Sequence, residues 1–294
     1  MEMYIEQLKT KFGYSEELLK FLEKLIPSLI MYYGEEYKEL ILTALFNCEI
    51  HLQDKNEDSK TYLNQYFGVN EEWKMPRLGG AFYHNRISIN DNKISAKPII
   101  YVKRMYSSQY IPFDFNNDKN VNTLVHEICH LIKGYGKTKS VDGRIIDSSG
   151  LMKDVYSYSD GNDVKLEKSE NVGIEEAINE VDTFRIMELM TGRKQEINGY
   201  KVAGSTAVML MEDNEIAKII RSSQLDGNDN WIQCFGGQGS KILIDNFDIL
   251  VTSLYVSWSE INTKEKREAF NQKMNLAQDK IEAFIQNYAN RQKI

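Results

Sequence analysis

The chain has 294 residues, of which 42% are hydrophobic and 27% are charged, and its formal net charge is -7 at pH 7. This length and composition are typical of one large folded domain or two modest ones with a sizeable hydrophobic core. The acidic balance argues against a nucleic-acid-binding protein, because such proteins show a basic excess or a basic stripe.

The cysteines and the N-terminal residues allow a prediction of the cellular compartment. Cys48, Cys129 and Cys234 are odd in number and far apart, which disfavours a disulfide scaffold and favours a reducing environment. The first residues include acids and no hydrophobic stretch typical of a signal peptide. No apolar run approaches the roughly 18 residues of a membrane span. We therefore expect a cytoplasmic protein without a membrane segment.

The first part of the chain, residues 1–70, has the pattern of a helical region. In SEELLKFLEKLIPSLIMYYG, Ser15 is a candidate N-cap, Gly34 a candidate end, and the leucines and isoleucines recur at helical spacing. Pro27 lies inside this stretch and predicts a kink or a break. EEYKELILTALFNCEIHLQ, residues 35–53, predicts a second amphipathic helix.

The pattern changes after residue 70. AFYHNRISIN alternates and predicts a hairpin with an Asn-containing turn, and KPIIYVKRMY predicts another short strand. Residues 134–172 are rich in Gly, Ser, Asp and Lys, which is typical of a long functional flap or a disordered loop. Within them, GRIIDSSGL indicates a short strand or hairpin. The rest of the chain is predicted to be mostly helical.

The most informative stretch is HEICH, residues 126–130. It lies in a predicted helix that Asn or Asp residues near 116–120 can cap and that Gly134 or Gly136 can end. Because His126 and His130 are four residues apart, a helix places them on one side. This arrangement allows both imidazoles to reach one metal ion.

The same stretch contains a candidate general base. A catalytic zinc site has three protein ligands and one open position for water. Glu127 directly follows the first histidine, where its carboxylate can take a proton from that water and later pass it to the leaving group. His126, His130 and Glu127 therefore predict a zinc hydrolase.

The third ligand has to be a carboxylate. His51 and His84 both precede the motif, and Lys133 and Gly136 occupy the Gly and His positions of the extended form HExxHxxGxxH. The candidates lie in the partly apolar segment GIEEAINEVD and are Glu175, Glu176, Glu180 and Asp182. A buried acid needs a partner, which a metal with two histidines provides.

Two of these acids share one helix face. Glu176 and Glu180 are four residues apart, so one can bind the metal while the other accepts the N–H of a ligand histidine and fixes its orientation. A solvated acidic face is the alternative interpretation of this segment.

An HExxH helix followed by a second helix with the pattern E-x-x-x-acid resembles the gluzincin type of zincin metallopeptidase. The resemblance spans about residues 80–192, and Ser149-Gly150-Leu151 is similar to an SGL-like stretch of uncharacterised bacterial HExxH proteins. It implies that Glu176 is the third zinc ligand and that Glu180 orients a ligand histidine.

The resemblance also implies a fold and a substrate. The fold would be α+β and mostly helical, with a zincin-like core of a small mixed sheet and the active-site helix. That core would span residues 71–192, between helical regions at 1–70 and 193–294. A peptide or protein substrate would add to an edge strand, for which AFYHNRISIN is the candidate, and an ordinary core hairpin is the alternative interpretation of that stretch. Tyr158, with Tyr156 as a second candidate, would stabilise the oxyanion.

Two other interpretations stay open at this stage. One is a zincin-fold protein that has lost catalysis and serves as a binding or regulatory module, against which the intact Glu127 argues. The other is that HEICH belongs to an ordinary structural helix without a metal. The oligomeric state is not predicted.

Overall fold

The computed structural model describes residues 1–67, 81–90, 93–106, 108–158, 164–197, 200–253, 256 and 259–291. The fold is mostly helical α+β with small mixed sheets, as predicted. The helices are α1 (Glu2–Phe12), α2 (Glu16–Tyr33), α3 (Lys38–Asn47), α4 (Ser59–Phe67), α5 (Asp118–Gly134), α6 (Val172–Thr191), α7 (Lys201–Glu212), α8 (Asn214–Asp226), α9 (Asn230–Thr252) and α10 (Lys264–Arg291). A short 3-10 helix at Glu35–Tyr37 precedes α3.

The strands are short, apart from one long hairpin. They are β1 (Glu49–Leu52), β2 (Ala81–Asn90), β3 (Lys93–Val102), β4 (Met105–Tyr106), β5 (Gln109–Tyr110), β6 (Thr138–Val141), β7 (Arg144–Ser149), β8 (Met152–Tyr158) and β9 (Val164–Glu170). Among the described residues, no helix has the length and apolar character needed to cross a membrane.

The chain forms two compact units. The first contains Met1–Asp147, Tyr156–Lys165 and Thr183–Gln195, and the second contains Ser148–Val155, Leu166–Asp182 and Glu196–Ile294. Helix α6 contributes residues to both units. The three regions expected from the sequence, 1–70, 71–192 and 193–294, stay a prediction.

Helix α2 in the first unit begins and ends where the sequence predicted. The Ser15 hydroxyl accepts a hydrogen bond from the Leu18 N–H at 3.3 Å, and Gly34 follows the last residue. A break at Pro27 does not occur, since α2 is continuous through it. The apolar face of the helix is fully buried on both sides of the proline, and this burial offsets the lost backbone hydrogen bond. The face includes Leu22, Leu25, Ile26 and Leu29.

The predicted helix over residues 35–53 is wrong at its C-terminal end. Helix α3 ends at Asn47, and Glu49–Leu52 forms strand β1 instead. This strand pairs in parallel with β3, from Glu49 opposite Ile99 to Leu52 opposite Val102. The backbone hydrogen bonds therefore come from a segment about 50 residues away, which a local helical pattern does not reveal.

A small mixed sheet has the strand order β1-β3-β2, with β2 and β3 antiparallel. The hairpin predicted within AFYHNRISIN is wrong, because this stretch is one continuous strand with Asn85 in its middle. The hairpin is formed by β2 and β3 instead. The turn at residues 91–92 lies outside the described residues. Among the described strands, β2 is at the edge of this sheet.

One face of this sheet carries a row of aromatic rings. His51, Tyr101 and Phe82 are cross-strand neighbours, with ring centroids 5.4 Å and 5.7 Å apart. Tyr62 of α4 stacks on His51 at 4.0 Å, and the His51 Nε2 lies 2.7 Å from the Glu57 Oε2. His51 therefore has a packing role and an acidic partner.

Helix α5, which contains HEICH, has the predicted ends. The Asn117 side chain accepts hydrogen bonds from the N–H groups of Lys119 and Asn120, and the last helical residue is Gly134. Its predicted core face is buried and comprises Val121, Leu124, Val125, Ile128 and Leu131. This burial fixes the rotation of the helix about its axis.

The long flap predicted over residues 134–172 is wrong. Strands β6, β7, β8 and β9 form a four-stranded sheet in that order. Asp142 and Gly143 have φ angles of 50° and 74°, as in the type I′ turns that join antiparallel strands. The Gly and Asp residues that suggested a loop are thus turn residues. Of the short strand or hairpin predicted in GRIIDSSGL, the short strand is confirmed as β7, which ends at Ser149 before β8 begins at Met152.

The second unit has its own hydrophobic core, built from α6 to α10, and the predicted C-terminal helices are confirmed. Its largest buried side chains include Trp231 and Phe247. Helix α9 is interrupted at Gly236, where φ is 73° and ψ is 157°. Only glycine adopts such a conformation readily.

Glu175 links three elements of the second unit. It is fully buried in α6, and its Oε2 accepts hydrogen bonds from the Leu151 N–H at 2.7 Å and the Gln224 Nε2 at 2.8 Å. The neighbouring Gly150 has a φ of 63°, and a Cβ there would lie 2.2 Å from the same oxygen. The carboxylate thus holds the β7–β8 turn and α8 against α6.

Two glycine substitutions separate backbone strain from this close contact. We expect Gly143→Ala to lower the free energy of unfolding by about 1 kcal/mol, because φ is positive but the space around it is open. Gly150→Ala should cost about 1–3 kcal/mol more, because its Cβ overlaps the Glu175 carboxylate. Urea unfolding of both variants measures the difference, and equal losses would contradict the contact.

Candidate metal centre

Helix α5 brings the two predicted histidine ligands together. His126 and His130 are only 8% and 4% exposed, and their Nε2 atoms are 3.2 Å apart. A hydrogen bond between the two rings, in which one Nε2 donates and the other accepts, accounts for this separation. The Nε2–Nε2 distance also agrees, within a few tenths of an ångström, with the distance between two nitrogen ligands of a tetrahedral zinc ion whose zinc–nitrogen bonds are about 2.0–2.1 Å.

Glu176 completes a possible set of three ligands. One carboxylate oxygen of Glu176 and one ring nitrogen of each histidine all lie within 4.8 Å of one another. The histidines are buried, whereas Glu176 is half-buried. Two imidazoles and one carboxylate are the ligands of many catalytic zinc sites that keep a position for water. The residues thus fit a zinc ion, and its binding stays a prediction.

The other three acidic candidates are not part of this cluster. Glu175 is already used by Leu151 and Gln224, as described above. Glu180 and Asp182 are buried within α6, so a solvated acidic face is the wrong interpretation of this segment. Glu180 follows Glu176 by one helical turn, and its contact with a ligand histidine stays a prediction.

Strand β2 orients the predicted general base. The Tyr83 N–H donates a hydrogen bond to the Glu127 Oε2 at 2.7 Å, and Glu127 is half-buried. A backbone amide directed at a carboxylate forms a short, charge-assisted bond that restricts the carboxylate to one orientation. The sequence reasoning did not identify Tyr83, because no local pattern links residue 83 to residue 127.

The two tyrosine candidates lie on strand β8 rather than on a loop. Tyr156 is buried and packs with Ile89 and Ile145. Tyr158 is the last residue of β8 and is 40% exposed. The predicted role of Tyr158 in stabilising an oxyanion stays a prediction.

Lys133 is a residue whose environment the sequence reasoning missed. Its side chain is completely buried, three residues after His130 on the same helix. Lys133 follows His130 by three residues and His126 by seven, so it lies on the same side of the helix as both histidines. The sequence could have revealed this environment through that spacing. A lysine on the buried side of a helix is expected to have a partner, because lysine is almost never fully buried without one.

Comparison of the chain with protein-family models, with curated proteins and with solved structures found no match.

Two neighbouring glutamates in α6 should behave differently when replaced. We expect Glu175→Ala to lower the free energy of unfolding by at least about 2 kcal/mol, because two buried donors lose their acceptor. Glu176→Ala should lower it by less than Glu175→Ala does in the presence of a chelator, because its side chain is half-buried rather than fully buried. Urea unfolding tests both expectations, and a larger loss in Glu176→Ala would assign it a structural role.

Proposed function

We propose that the protein is a zinc-dependent hydrolase that acts on peptide bonds, with a zincin-like core of the gluzincin type. The observation that carries this proposal is the cluster of His126, His130 and Glu176, whose ligand atoms lie within 4.8 Å of one another. The small mixed sheet, the HEICH helix and the acidic helix α6 support it. Fold alone does not define an activity, so the proposal depends on the site.

The three clustered side chains would hold the ion. His126 and His130 would bind through their ring nitrogens and Glu176 through one carboxylate oxygen. A bound zinc ion supplies Lewis acidity, which activates water and polarises a carbonyl group. Glu180 would accept the N–H of a ligand histidine and keep its ring in the orientation that binding requires.

Glu127 would act as the general base. Its carboxylate takes a proton from the attacking water and returns it to the leaving nitrogen. The Tyr83 N–H on the Oε2 stabilises the ionised carboxylate and holds it in one rotamer. Tyr158 would donate a hydrogen bond to the oxyanion, for which its exposed position at the end of β8 suits it.

A peptide substrate would pair with the outer edge of β2. The Tyr83 N–H faces away from β3, so the main-chain groups of Asn85 and Ile87 face away as well. Pro98 lies opposite Asn85 and has no N–H, which agrees with this pairing pattern. Since Tyr83 already donates to Glu127, a substrate would pair with the edge from Asn85 onward.

A reducing compartment such as the cytoplasm suits this chain. Cys48, Cys129 and Cys234 form no disulfide, and two of them are buried. Free thiols in a folded protein persist where the environment is reducing.

Metal binding is the first test. We expect the purified chain to bind one zinc ion. Glu176→Gln or His130→Ala should weaken zinc binding by more than about 10–100-fold, which is the loss caused by removing a group that only hydrogen-bonds to a metal ligand. Glu188→Gln, further along α6, is the matched control and should leave the affinity unchanged. Titration with a competing chelator measures the affinity, and equal affinities in all variants would contradict the assigned ligands.

Hydrolysis is the second test. We expect Glu127→Gln to retain zinc and to lower the rate of cleavage of an unstructured protein such as casein by about 10²–10⁴-fold, since the base is lost. Mass spectrometry of the products with a peptide library measures cleavage. A zinc-loaded wild-type protein that cleaves no library peptide would contradict the peptidase and favour the binding or regulatory module.

A further inference from the structure

A buried polar network lies beside strand β2. Asp147 on β7 and Asn85 on β2 are both buried, and the Asn85 Nδ2 lies 3.0 Å and 2.9 Å from the two Asp147 oxygens. The Thr138 hydroxyl donates to the same carboxylate at 2.7 Å. Because a carboxylate accepts and does not donate, it forces the NH₂ group of Asn85 toward itself and so fixes the amide orientation.

The same NH₂ group reaches the side chain of Tyr83. The Asn85 Nδ2 lies 3.0 Å from the Tyr83 hydroxyl oxygen, and the two residues share one face of β2 because they are two apart. Burial raises the pKa of the Tyr83 hydroxyl well above its usual range, and the charge of Asp147 raises it further. The hydroxyl is therefore neutral at physiological pH and keeps this contact.

Tyr83 is thus held at two points. Its hydroxyl group accepts from Asn85, and its backbone N–H donates to the Glu127 Oε2 at 2.7 Å. A displacement of Asn85 moves the strand at residue 83, and with it the amide that restricts Glu127. Strand β2 also pairs with β3 on its other side, so residue 83 is held by contacts on both edges of the strand.

We propose that Asn85, held by Asp147, is a positioning residue for Glu127 and acts through the Tyr83 amide. The consequence for catalysis rests on the proposed function, because it requires Glu127 to be the general base. The contact itself is independent of metal and of activity. The Asn85 side chain is buried and donates to Asp147 and Tyr83, so it would act on Glu127 only through Tyr83.

A purely structural role is the alternative, in which the network only stabilises the packing of β2. Thr138 provides the matched control for this alternative. Both Asn85→Leu and Thr138→Val remove a donor from Asp147, but only Asn85 contacts Tyr83. A structural role predicts similar effects of the two variants, whereas positioning predicts an effect at Tyr83 from Asn85 alone.

The contact is measured by NMR on the full-length, metal-free chain labelled with ¹⁵N-tyrosine. Tyr83→Phe identifies the resonance by removing it. Glu127→Gln gives the reference, since a neutral acceptor moves the Tyr83 amide proton upfield. We expect Asn85→Leu to cause a comparable upfield shift and Thr138→Val to cause none. Asp147→Asn, which conserves size, should shift it in the same direction if Asn85→Leu does not fold.

An activity measurement completes the test. With zinc and a cleaved peptide, we expect Asn85→Leu to lower kcat about 10–100-fold, with KM and zinc affinity unchanged. An unshifted Tyr83 amide in the Asn85 and Asp147 variants, or equal shifts in the Thr138 variant, would overturn the positioning role. A wild-type chain without hydrolysis but with the expected shifts would overturn the proposed function and leave the contact established.

Discussion

The hydrogen bond from the Tyr83 N–H to the Glu127 Oε2 ties strand β2 to helix α5, and the arrangement of the candidate centre depends on it. The helix supplies His126, His130 and Glu127 together, so its rotation decides where all three side chains lie. Buried leucines and valines fix that rotation, while the strand amide selects one orientation of the carboxylate. A carboxylate held in one orientation by a strand amide needs less reorganisation before proton transfer, which would favour the general-base role proposed for Glu127.

Helix α6 shows how adjacent residues of one chemical type serve different purposes. Glu175 is fully buried and saturates its Oε2 with two donors, so it stabilises the second unit. Glu176 is half-buried and shares a cluster with two imidazoles, so it suits a metal. The two side chains differ by one position, or about 100° of rotation around the helix. That rotation separates a structural carboxylate from a candidate ligand.

The elements that the sequence predicted well are those that local chemistry defines. The caps at Ser15 and Asn117, the helix ends at Gly34 and Gly134, and the apolar face of α5 follow from interactions within a few residues. The errors arise where distant segments pair. Strand β1 exists because β3 lies beside it, and the sheet from β6 to β9 was mistaken for a loop although the Asp142-Gly143 dipeptide is a strong hairpin signal.

The sequence by itself determined the helix that carries HEICH and the side on which His126 and His130 lie, because a spacing of four residues matches the helical period. It also limited the third ligand to one acidic segment. Only the tertiary structure placed Glu176, rather than Glu175 or Glu180, in a cluster with the two histidines, and only it joined Tyr83 and Asn85 to Glu127. Those contacts join residues that are far apart in the sequence and come together only when the core packs. The periodicity of the sequence does not predict such contacts.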